Sequence, residues 1–496
     1  MIRPSCRSSA LALALSCAVV GAGAAAAPAL SPAPPAASAA PPAAAPVPVG
    51  ATPPAGDGRV LRLGLGEALS RGREASAHLA ELRSLAAAAG AGLTGARSER
   101  LPQIDASASY TRQSDVPELR LTLPGLGTET VFPNIPDSYR GHLGLALPVY
   151  TGGRVTNTVT ASAQQLAAAN QDLAQGRSDL AQEIAAAYWS LVTARDSERV
   201  LAESLADYDA HLKETRDRRD VGMAAANEVL AVSVQREQAE LARVQAAGAA
   251  AVANANLLRL LDLPADTAIE PTEPLPEPAA GPASSSPAAS LAAGPAAAVP
   301  LTGAEPPEAL AAAAFAARPV IVALRSRIAA GRASAEAARA ALRPQANLSG
   351  GYDYANPNPR ILPLEARWKS SWSIGAVISL SLFDGGRTAA AAAQIDAQAD
   401  AMGHRLEDLE RRVRLEVTQR LIELGNARQA AGVADRNLDS ARENVRVARD
   451  RYHEGVIPSS ELLDAETALL RSALDRTSAL TQVRLALANL ERAVGR

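Results

Sequence analysis

The sequence predicts an α+β membrane protein in which long helical hairpins are joined to a few β-strands and the whole unit occurs twice. The first observation is a pair of matching heptapeptides, VYTGGRV at Val149–Val155 and LFDGGRT at Leu382–Thr388. Each ends an apolar stretch that alternates like a strand and opens a long Ala- and Arg-rich tract with the pattern of a helix. The other two observations are the lengths of these elements and a signal for export at the start of the chain.

The start of the chain has the pattern of a secretory signal. Arg3 and Arg7 precede an apolar run, Leu11–Val20, which is followed by small residues. The run is too short to span a membrane as a helix. We therefore predict a signal peptide over residues 1–26, with cleavage near Ala24–Ala26, and an exported mature protein.

The two cysteines, Cys6 and Cys17, both lie inside the predicted signal. Its removal would leave a mature chain without disulfides or thiolate metal ligands. The alternative is that Cys17 is the lipid-modified first residue of the mature chain. Ala14 stands where a lipoprotein signal has Leu, but the protein is exported in either case.

Composition limits the classes of function. The 496 residues carry a formal net charge of −3, so the chain lacks the basic surplus of nucleic-acid-binding proteins. Its five His have no metal-ligand spacing, and no phosphate-binding loop or nucleophile motif is present. We therefore predict that the protein is not an enzyme and has no catalytic residue, cofactor or metal site.

Two Pro/Ala-rich segments with little charge separate the structured parts of the chain. Residues 27–58 have the composition of an extended linker, and residues 270–307 form a similar insert. The segments between and after them are the first repeat, 59–269, and the second repeat, 308–496. Each repeat is predicted to contain a helix, two barrel strands and a long helix hairpin.

The second repeat follows the first at a constant offset. Tyr150 corresponds to Phe383, 233 residues later, and the match continues to the end of each unit without a gap. Other pairs at this offset are Glu183 and Glu416, Ala194–Arg195 and Ala427–Arg428, Arg216–Arg218 and Arg449–Arg451, and Leu257 and Leu490. The chain therefore contains a two-fold repeat of a large unit rather than a short solenoid period.

Helix lengths indicate rods that lie side by side. In the first repeat, Arg154–Arg219 predicts a helix of roughly 100 Å at 1.5 Å per residue. Glu67–Arg100 and Ala224–Asp262 predict helices of roughly 50 and 60 Å, which together match the long one. The second repeat opens with a helix over Pro307–Arg343, and there too the two shorter helices together match the length of the long one.

The last helix also has a heptad pattern, which favours packing along its length. A plain coiled-coil spacer would show the same pattern, so heptads alone leave that alternative open. Ten residues of this helix occupy the predicted heptad seam, and two of them are charged, Arg476 and Glu466. The seam residues are Leu462, Leu469, Arg476, Val483 and Leu490, with Glu466, Ala473, Leu480, Leu487 and Val494 four residues on.

Four alternating stretches argue against a plain spacer. They are Ile104–Arg112 and His142–Tyr150 in the first repeat, and Ala346–Tyr354 and Ser371–Phe383 in the second. Most are about nine to eleven residues long, the length of a tilted membrane-spanning strand. The expected apolar faces are Leu143, Leu145, Leu147 and Val149, and Ile374, Ala376, Ile378, Leu380 and Leu382.

The aromatic residues are concentrated near these strands. Nine of the fourteen Trp, Tyr and Phe lie within 104–150 and 346–383, where interfacial girdles are expected, although β-propensity also favours them there. Four strands cannot close a barrel, and an open edge cannot face lipid. We therefore predict a homo-oligomer with at least eight strands from two chains or twelve from three.

Several segments in this order resemble the TolC-like outer-membrane efflux family, from about Val60 to the C-terminus. The segments are LRLGLGEAL, RLPQIDASASY, ALPVYTGGR, ARPVIVALRSRIAAGRASAEAARAALRPQ, LSLFDGGR and RYHEGVIPSSELLDAETALL. The resemblance implies a homotrimer with one twelve-stranded β-barrel in the outer membrane of a Gram-negative bacterium, four strands per chain. Coiled-coil hairpins would form an α-barrel that extends into the periplasm.

The function implied by the resemblance is an exit duct of a tripartite efflux or type I secretion system. Its partners would be two copies of itself, a periplasmic adaptor (a membrane fusion protein), an inner-membrane transporter and outer-membrane lipid, but no nucleic acid. The alternative is a periplasmic coiled-coil adaptor or scaffold without a pore. The sequence does not identify the transported substrate.

The resemblance also implies a contact with the adaptor at the two hairpin tips. The family motif, Arg-x-x-x-Gly, falls on Arg218 and Gly222 in the first hairpin and on Arg451 and Gly455 in the second. Glycine allows the positive φ of a tight turn and leaves room for another backbone. The two glycines are also expected to act as helix C-caps.

An entrance gate is the second implied site. Glu461 and Asp464 lie past the second tip, three residues apart and so on one helix face. Copies related by symmetry would form a ring of carboxylates that repels anions and holds cations. The first repeat has Glu228 but Ala231 at the matching positions, and an ordinary solvated face is the alternative for both pairs.

The Gly-Gly-Arg triplets are predicted to bend a barrel strand into the rod that follows. They are Gly152, Gly153 and Arg154 in the first repeat and Gly385, Gly386 and Arg387 in the second. Neither is a phosphate-binding loop, because the Lys-Ser/Thr of such a loop is missing. Glycine fits a sharp change of direction at the end of a strand.

Overall fold

The structure is a computed structural model that describes residues 59–123, 127–273, 306–362 and 364–495. The predicted signal peptide 1–26, the linker 27–58 and most of the 270–307 insert lie outside the described residues. The domain limits proposed for these segments therefore stay predictions.

Two pairs of long helices dominate the described chain. The helices are α1 (Leu65–Ala75), α2 (Ala77–Ser98), α3 (Arg154–Asp220), α4 (Ala226–Leu261), α5 (Pro307–Ala317), α6 (Pro319–Arg339), α7 (Arg387–His453) and α8 (Ser459–Val494). Helices α3 and α7 each have 67 residues, and α4 and α8 each have 36. The bounds of both pairs differ by the 233 residues found in the sequence.

The opening helix of each repeat is broken, so the prediction of one continuous helix was wrong. Ser76 separates α1 from α2, where it takes an extended conformation and its Oγ accepts a hydrogen bond from Leu79 N at 3.3 Å. Arg318 separates α5 from α6 because the following Pro319 disfavours a helical residue before it.

No single helix in the described ranges is long and apolar enough to cross a bilayer. Residues Pro307–Ala317 and Pro319–Leu342 meet the criteria of length and composition only as a pair, which is bent by 51°.

The strands include the four that the sequence predicts. They are β1 (Val60–Leu63), β2 (Gln103–Arg112), β3 (Leu119–Leu123), β4 (Gly127–Phe132), β5 (Asp137–Tyr150), β6 (Ala268–Pro271), β7 (Gln345–Asn356) and β8 (Lys369–Ser379). Strands β2, β5, β7 and β8 form one antiparallel sheet in that order, so β2 and β8 are its edges.

The two faces of this sheet differ in polarity, as expected from the alternation. The register pairs Leu143 with Tyr352 and Tyr352 with Trp372, which puts apolar residues on one exposed face. The apolar face holds Ile104, Tyr110, Tyr139, Leu143, Leu145, Leu147, Tyr352, Tyr354, Trp372, Ile374 and Ile378. The other face holds Asp105, Ser107, Ser109, Arg140, His142, Asp353, Ser371 and Ser373.

Strand β8 ends at Ser379, earlier than the predicted Phe383, so Leu380 and Leu382 lie beyond the ladder. In β5 the register shifts between Pro148 and Tyr150 because proline has no N–H to donate. The predicted face of β5 is confirmed for Leu143, Leu145 and Leu147.

Two further strand pairs were not predicted. Strands β3 and β4 form an antiparallel pair within the connection from β2 to β5, and the alternation of LRLTL at Leu119–Leu123 was a usable signal for it. Strands β1 and β6 pair in parallel and join the two ends of the first repeat. Tyr188 OH donates to Leu63 O at 3.2 Å and fixes this pair against α3.

The rods of one chain have a defined order. Helix α3 packs against α2 and α4 on one side and against α6 and α8 on the other, and α7 packs against α6 and α8. Helices α2 and α4 therefore lie at one edge of the chain and α7 at the other. The sheet has the same order, with β2 of the first repeat and β8 of the second at its edges.

The two hairpins meet along α3 and α8 through polar side chains. Contacts at 2.6 Å join Gln182 to Asn489, Thr193 to Thr481 and Asp196 to Thr477. Near the tips, α3 and α4 bury Leu212, Val229 and Val232 in an apolar cluster that Leu463 of α8 also joins. Polar partners must align to satisfy one another, so this seam fixes the register of α3 against α8.

Candidate functional site

The two hairpin tips have the same backbone geometry. Gly222 and Gly455 take φ values of 79° and 74°. Met223 N donates to Arg218 O at 2.8 Å, and Val456 N donates to Arg451 O at 2.9 Å. The C-caps of α3 and α7 are Val221 and Glu454, so each glycine is the residue after the cap, where its positive φ makes the turn between two rods.

The side chains of the two motif arginines have different surroundings. Arg218 lies with its guanidinium 4.1 Å from the centre of the Tyr452 ring, and its Nη2 is 2.9 Å from Glu214 Oε1. The same nitrogen donates to His453 O at 3.3 Å. Arg451 is exposed, and its side chain forms no hydrogen bond or ion pair with any described residue.

A buried polar cluster lies directly above the tips and was missed from the sequence. His211 Nδ1 is 2.9 Å from Glu466 Oε2, and His211 Nε2 is 3.0 Å from Ser459 Oγ. Thr215 Oγ1 is 3.2 Å from Tyr452 OH. The cluster connects α3 to both helices of the second hairpin.

The sequence did carry a signal for this cluster. Glu466 is one of the two charged residues in the predicted heptad seam, and Arg476 is the other. Both have partners across a helix interface, since Arg476 Nε is 2.6 Å from Asp435 Oδ1. A charged residue at a seam position therefore marked a partner on a neighbouring helix in both cases.

The predicted gate residues lie in the first two turns of α8. Glu461 and Asp464 are exposed, whereas their neighbours Leu462, Leu463 and Ala465 are buried. The two carboxylates therefore point away from the core of the chain, and within the described residues neither side chain has a hydrogen-bonding or ionic partner. Such a pair can attract cations and repel anions at the surface it faces.

The first strand-to-helix bend is tightly packed. Gly152 and Gly153 have φ values of 62° and 94°. A Cβ on Gly152 would lie 2.7 Å from Arg343 Cβ and 2.9 Å from Ala340 O. Arg154 Nη1 donates to Glu99 Oε2 at 3.0 Å, which holds α3 beside the end of α2.

The second bend has the same backbone but open surroundings. Gly385 and Gly386 have φ values of 68° and 84°, and no described atom lies within 4 Å of a Cβ built on either. Asp384 caps α7 by accepting from Gly386 N at 3.0 Å and from Thr388 N at 2.9 Å. Hydrogen bonds from the Thr388 side chain and backbone hold the pKa of Asp384 below its ordinary value. Arg387 is exposed, unlike Arg154.

Comparisons with known proteins agree on one family and one fold. A family model described as outer membrane efflux protein matches residues 68–262 and 310–496. Outer membrane protein OprJ of Pseudomonas aeruginosa is 27% identical over 412 residues, which cover 80% of this chain and 77% of OprJ.

Solved structures show the same fold at lower identity. A membrane protein from Pseudomonas aeruginosa superposes with a TM-score of 0.69 at 23% identity, over 87% of this chain and 93% of that one. The open state of the Neisseria gonorrhoeae MtrE outer membrane channel gives a TM-score of 0.65 at 20% identity, over 87% and 88% of the two chains. These likenesses confirm the predicted α+β architecture of long helical hairpins joined to β-strands.

Proposed function

The chain belongs to the outer membrane efflux protein family, and from this premise we propose that three copies form the exit duct of a tripartite efflux or secretion system. Family membership makes it an outer-membrane protein that serves efflux. The proposal adds the trimer, a periplasmic adaptor and an inner-membrane transporter. Substrates would pass through the duct passively, driven by the transporter.

The open edges of the four-stranded sheet carry the proposal. Strands β2 and β8 each have one side without a strand partner in the described chain. Unpaired backbone N–H and C=O groups cannot face lipid, so β8 of one copy must pair with β2 of the next. Two copies would give eight strands, whose interior is filled by side chains, whereas three give a barrel wide enough for passage.

The helical edges support the same assembly. Exposed apolar side chains follow α4 and α7, the two helices at the edges of the chain. They are Leu230, Val234, Leu241, Val244 and Val252 on α4, and Leu415, Ile422 and Val433 on α7. Pairing α4 of one copy with α7 of the next covers both rows and continues the ring formed by the strands.

The polarity of the sheet fits a barrel that encloses water. Its apolar face would meet lipid, and aromatic residues at one end would lie at the membrane interface. There, Tyr354 and Trp368 stack with ring centres 4.9 Å apart, and Tyr110 lies 5.0 Å from Tyr139. The polar face would line the duct.

The remaining sites take their proposed roles from position. The tips at Gly222 and Gly455 would meet the adaptor, and Glu461 and Asp464 would form the entrance ring when three copies come together. The Gly-Gly-Arg bends would connect barrel to rods, with Gly152 fixed by packing against Arg343. We propose no catalytic role and no bound cofactor.

Membrane extraction and conductance test the proposal. The protein should stay in the membrane fraction after a carbonate wash and should form ion-conducting channels in planar bilayers. A pore-free adaptor, the alternative drawn from the sequence, would be released by the wash and would not conduct. Release together with absence of conductance contradicts the proposed function.

A further inference from the structure

The two hairpin tips are equivalent in sequence position and backbone but differ in surface chemistry. Arg218 and Arg451 are 233 residues apart, and so are Val221 and Glu454. The contacts of these four residues differ between the tips. The inference from this difference rests on the proposed function, because it concerns how the tips would meet a partner.

The first tip uses its motif arginine internally. Arg218 contacts Glu214 on its own helix and reaches Tyr452 and His453 of the second hairpin. His453 Nδ1 is also 2.9 Å from Glu214 Oε1, so Glu214 joins the same contact. Only 18% of the Arg218 side chain is exposed, and a partner could reach the guanidinium only by displacing these contacts.

The outer surface of the first tip is apolar. Val221 and Met223 are exposed by 70% and 74% on either side of Gly222. The nearest charges, Arg219 and Asp220, are paired with each other at 2.5 Å. From Arg218 to Met223, this tip therefore offers a partner two exposed apolar side chains and no unpaired charge.

The second tip offers charge. Arg451 and Glu454 are both exposed, and the described residues supply no hydrogen-bond or ionic partner to either side chain. Val456 is the exposed apolar residue beside them. Arg451 therefore places a positive charge, and Glu454 a negative charge three residues later, on the exposed surface of this tip.

We propose that the tips have divided roles. Arg218 clamps the first tip onto the second hairpin, and the second tip is the charged docking surface. It fits a partner segment, on the adaptor, that carries a carboxylate opposite Arg451 and a basic group opposite Glu454. The first tip contributes apolar contact through Val221 and Met223.

Spin-label distances test the clamp without any partner. The mature chain is predicted to contain no Cys, so Val221→Cys and Val456→Cys give one label on each tip. Arg218→Gln should lengthen and broaden the distance distribution between the labels within a chain. The matched control, Arg451→Gln, should leave the distribution unchanged. An unchanged distribution in Arg218→Gln overturns the clamp.

Adaptor binding tests the docking surface. The probe is the periplasmic adaptor that is cross-linked to the wild-type trimer in cells, identified and then purified. Arg451→Glu should weaken its binding about tenfold or more and reduce the salt dependence, because it reverses one charge of the contact. Arg451→Lys should bind within about threefold of wild type. The control is Arg442→Glu, an exposed arginine further from the tip on α7, which should bind like wild type.

The outcomes separate this inference from the proposed function. Equal affinities of wild type and Arg451→Glu, or equal losses in Arg451→Glu and Arg442→Glu, overturn the docking surface. If the wild-type trimer captures no adaptor, the proposed function fails and the docking surface fails with it. The spin-label distances decide the clamp in every case.

Discussion

The imidazole of His211 on α3 and the carboxylate of Glu466 on α8 lie 2.9 Å apart, with only 2% and 5% of their side chains exposed. This pair joins the first hairpin to the second near the tips. Arg449 Nη2 lies 3.5 Å from Glu466 Oε1, the other carboxylate oxygen. Ser459 Oγ is hydrogen-bonded to His211 Nε2, the second ring nitrogen, at 3.0 Å. Both polar groups are therefore satisfied inside the helix packing.

Breaking this pair should destabilise the protein. Glu466→Ala leaves His211 Nδ1 buried without its hydrogen-bond partner, and an unsatisfied buried polar group costs about 1 to 3 kcal/mol. We expect a lower midpoint of thermal unfolding, measured by circular dichroism in detergent. The control is Glu81→Ala, which removes the partner of exposed His78 and should leave the midpoint unchanged. Equal midpoints for the two variants would contradict the structural role of the cluster.

The two bends should respond differently to the same substitution. Gly152→Ala adds a Cβ that clashes with Arg343 and Ala340, in addition to the strain of a positive φ. Gly385→Ala has the same φ strain but open space. We expect Gly152→Ala to lower the yield of folded protein in the outer membrane more than Gly385→Ala. A larger loss in Gly385→Ala would show that packing does not distinguish the bends.

The acidic pair should control conductance if it forms an entrance ring. Replacing Glu461 and Asp464 together by Ala should raise the single-channel conductance in planar bilayers and reduce the preference for cations, because the narrowing carboxylates are removed. Asp439→Ala, an exposed carboxylate higher on α7, serves as control. Unchanged conductance together with unchanged ion preference would remove the gate assignment.

The polarity of the sheet faces predicts where a charge is tolerated. Ile374→Arg puts a charge on the apolar face, at a cost of about 2 to 4 kcal/mol near the middle of a bilayer. Ser373→Arg puts the same charge on the polar face, which would line the proposed duct. We expect loss of outer-membrane assembly for Ile374→Arg only. Normal assembly of Ile374→Arg would mean that this face does not meet lipid.

The cap of α7 should give a pH-dependent contribution to stability. The pKa of Asp384 is lowered in the folded protein, mainly by Thr388, so the cap contributes above the unfolded pKa and is lost as pH falls through the folded one. Asp384→Ala should lower the thermal midpoint at pH 7. The difference in thermal midpoint between Asp384→Ala and wild type should disappear in strong acid, at a pH below the ordinary pKa of an Asp carboxyl group. A difference that stays constant with pH would contradict this.

Long-period features of the fold could be predicted from the sequence. The four sheet strands and the ends of α3 and α7 follow from alternation, from the absence of Pro and from Gly222 and Gly455. The breaks at Ser76 and Arg318 were missed although Arg318 precedes a proline, because the apolar pattern continues across both. Strand β8 was predicted too long because Leu380 and Leu382 continue the alternation after the ladder has ended.

The candidate site could be located from the sequence, but its contacts could not. The Arg-x-x-x-Gly spacing identifies both tips and makes Arg218 and Arg451 look equivalent. Their difference depends on Tyr452, which reaches Arg218 only after the second hairpin has packed against the first. The same holds for His211 and Glu466, which are 255 residues apart.

The number of chains in the purified particle tests the central claim most directly. Native mass spectrometry of the mature protein, released from detergent, should show three chains in each particle, because three copies would pair the open edges at β2 and β8 into the proposed twelve-stranded barrel. A monomer that is soluble and folded without detergent would contradict the account, because its sheet edges would then need no neighbouring copy.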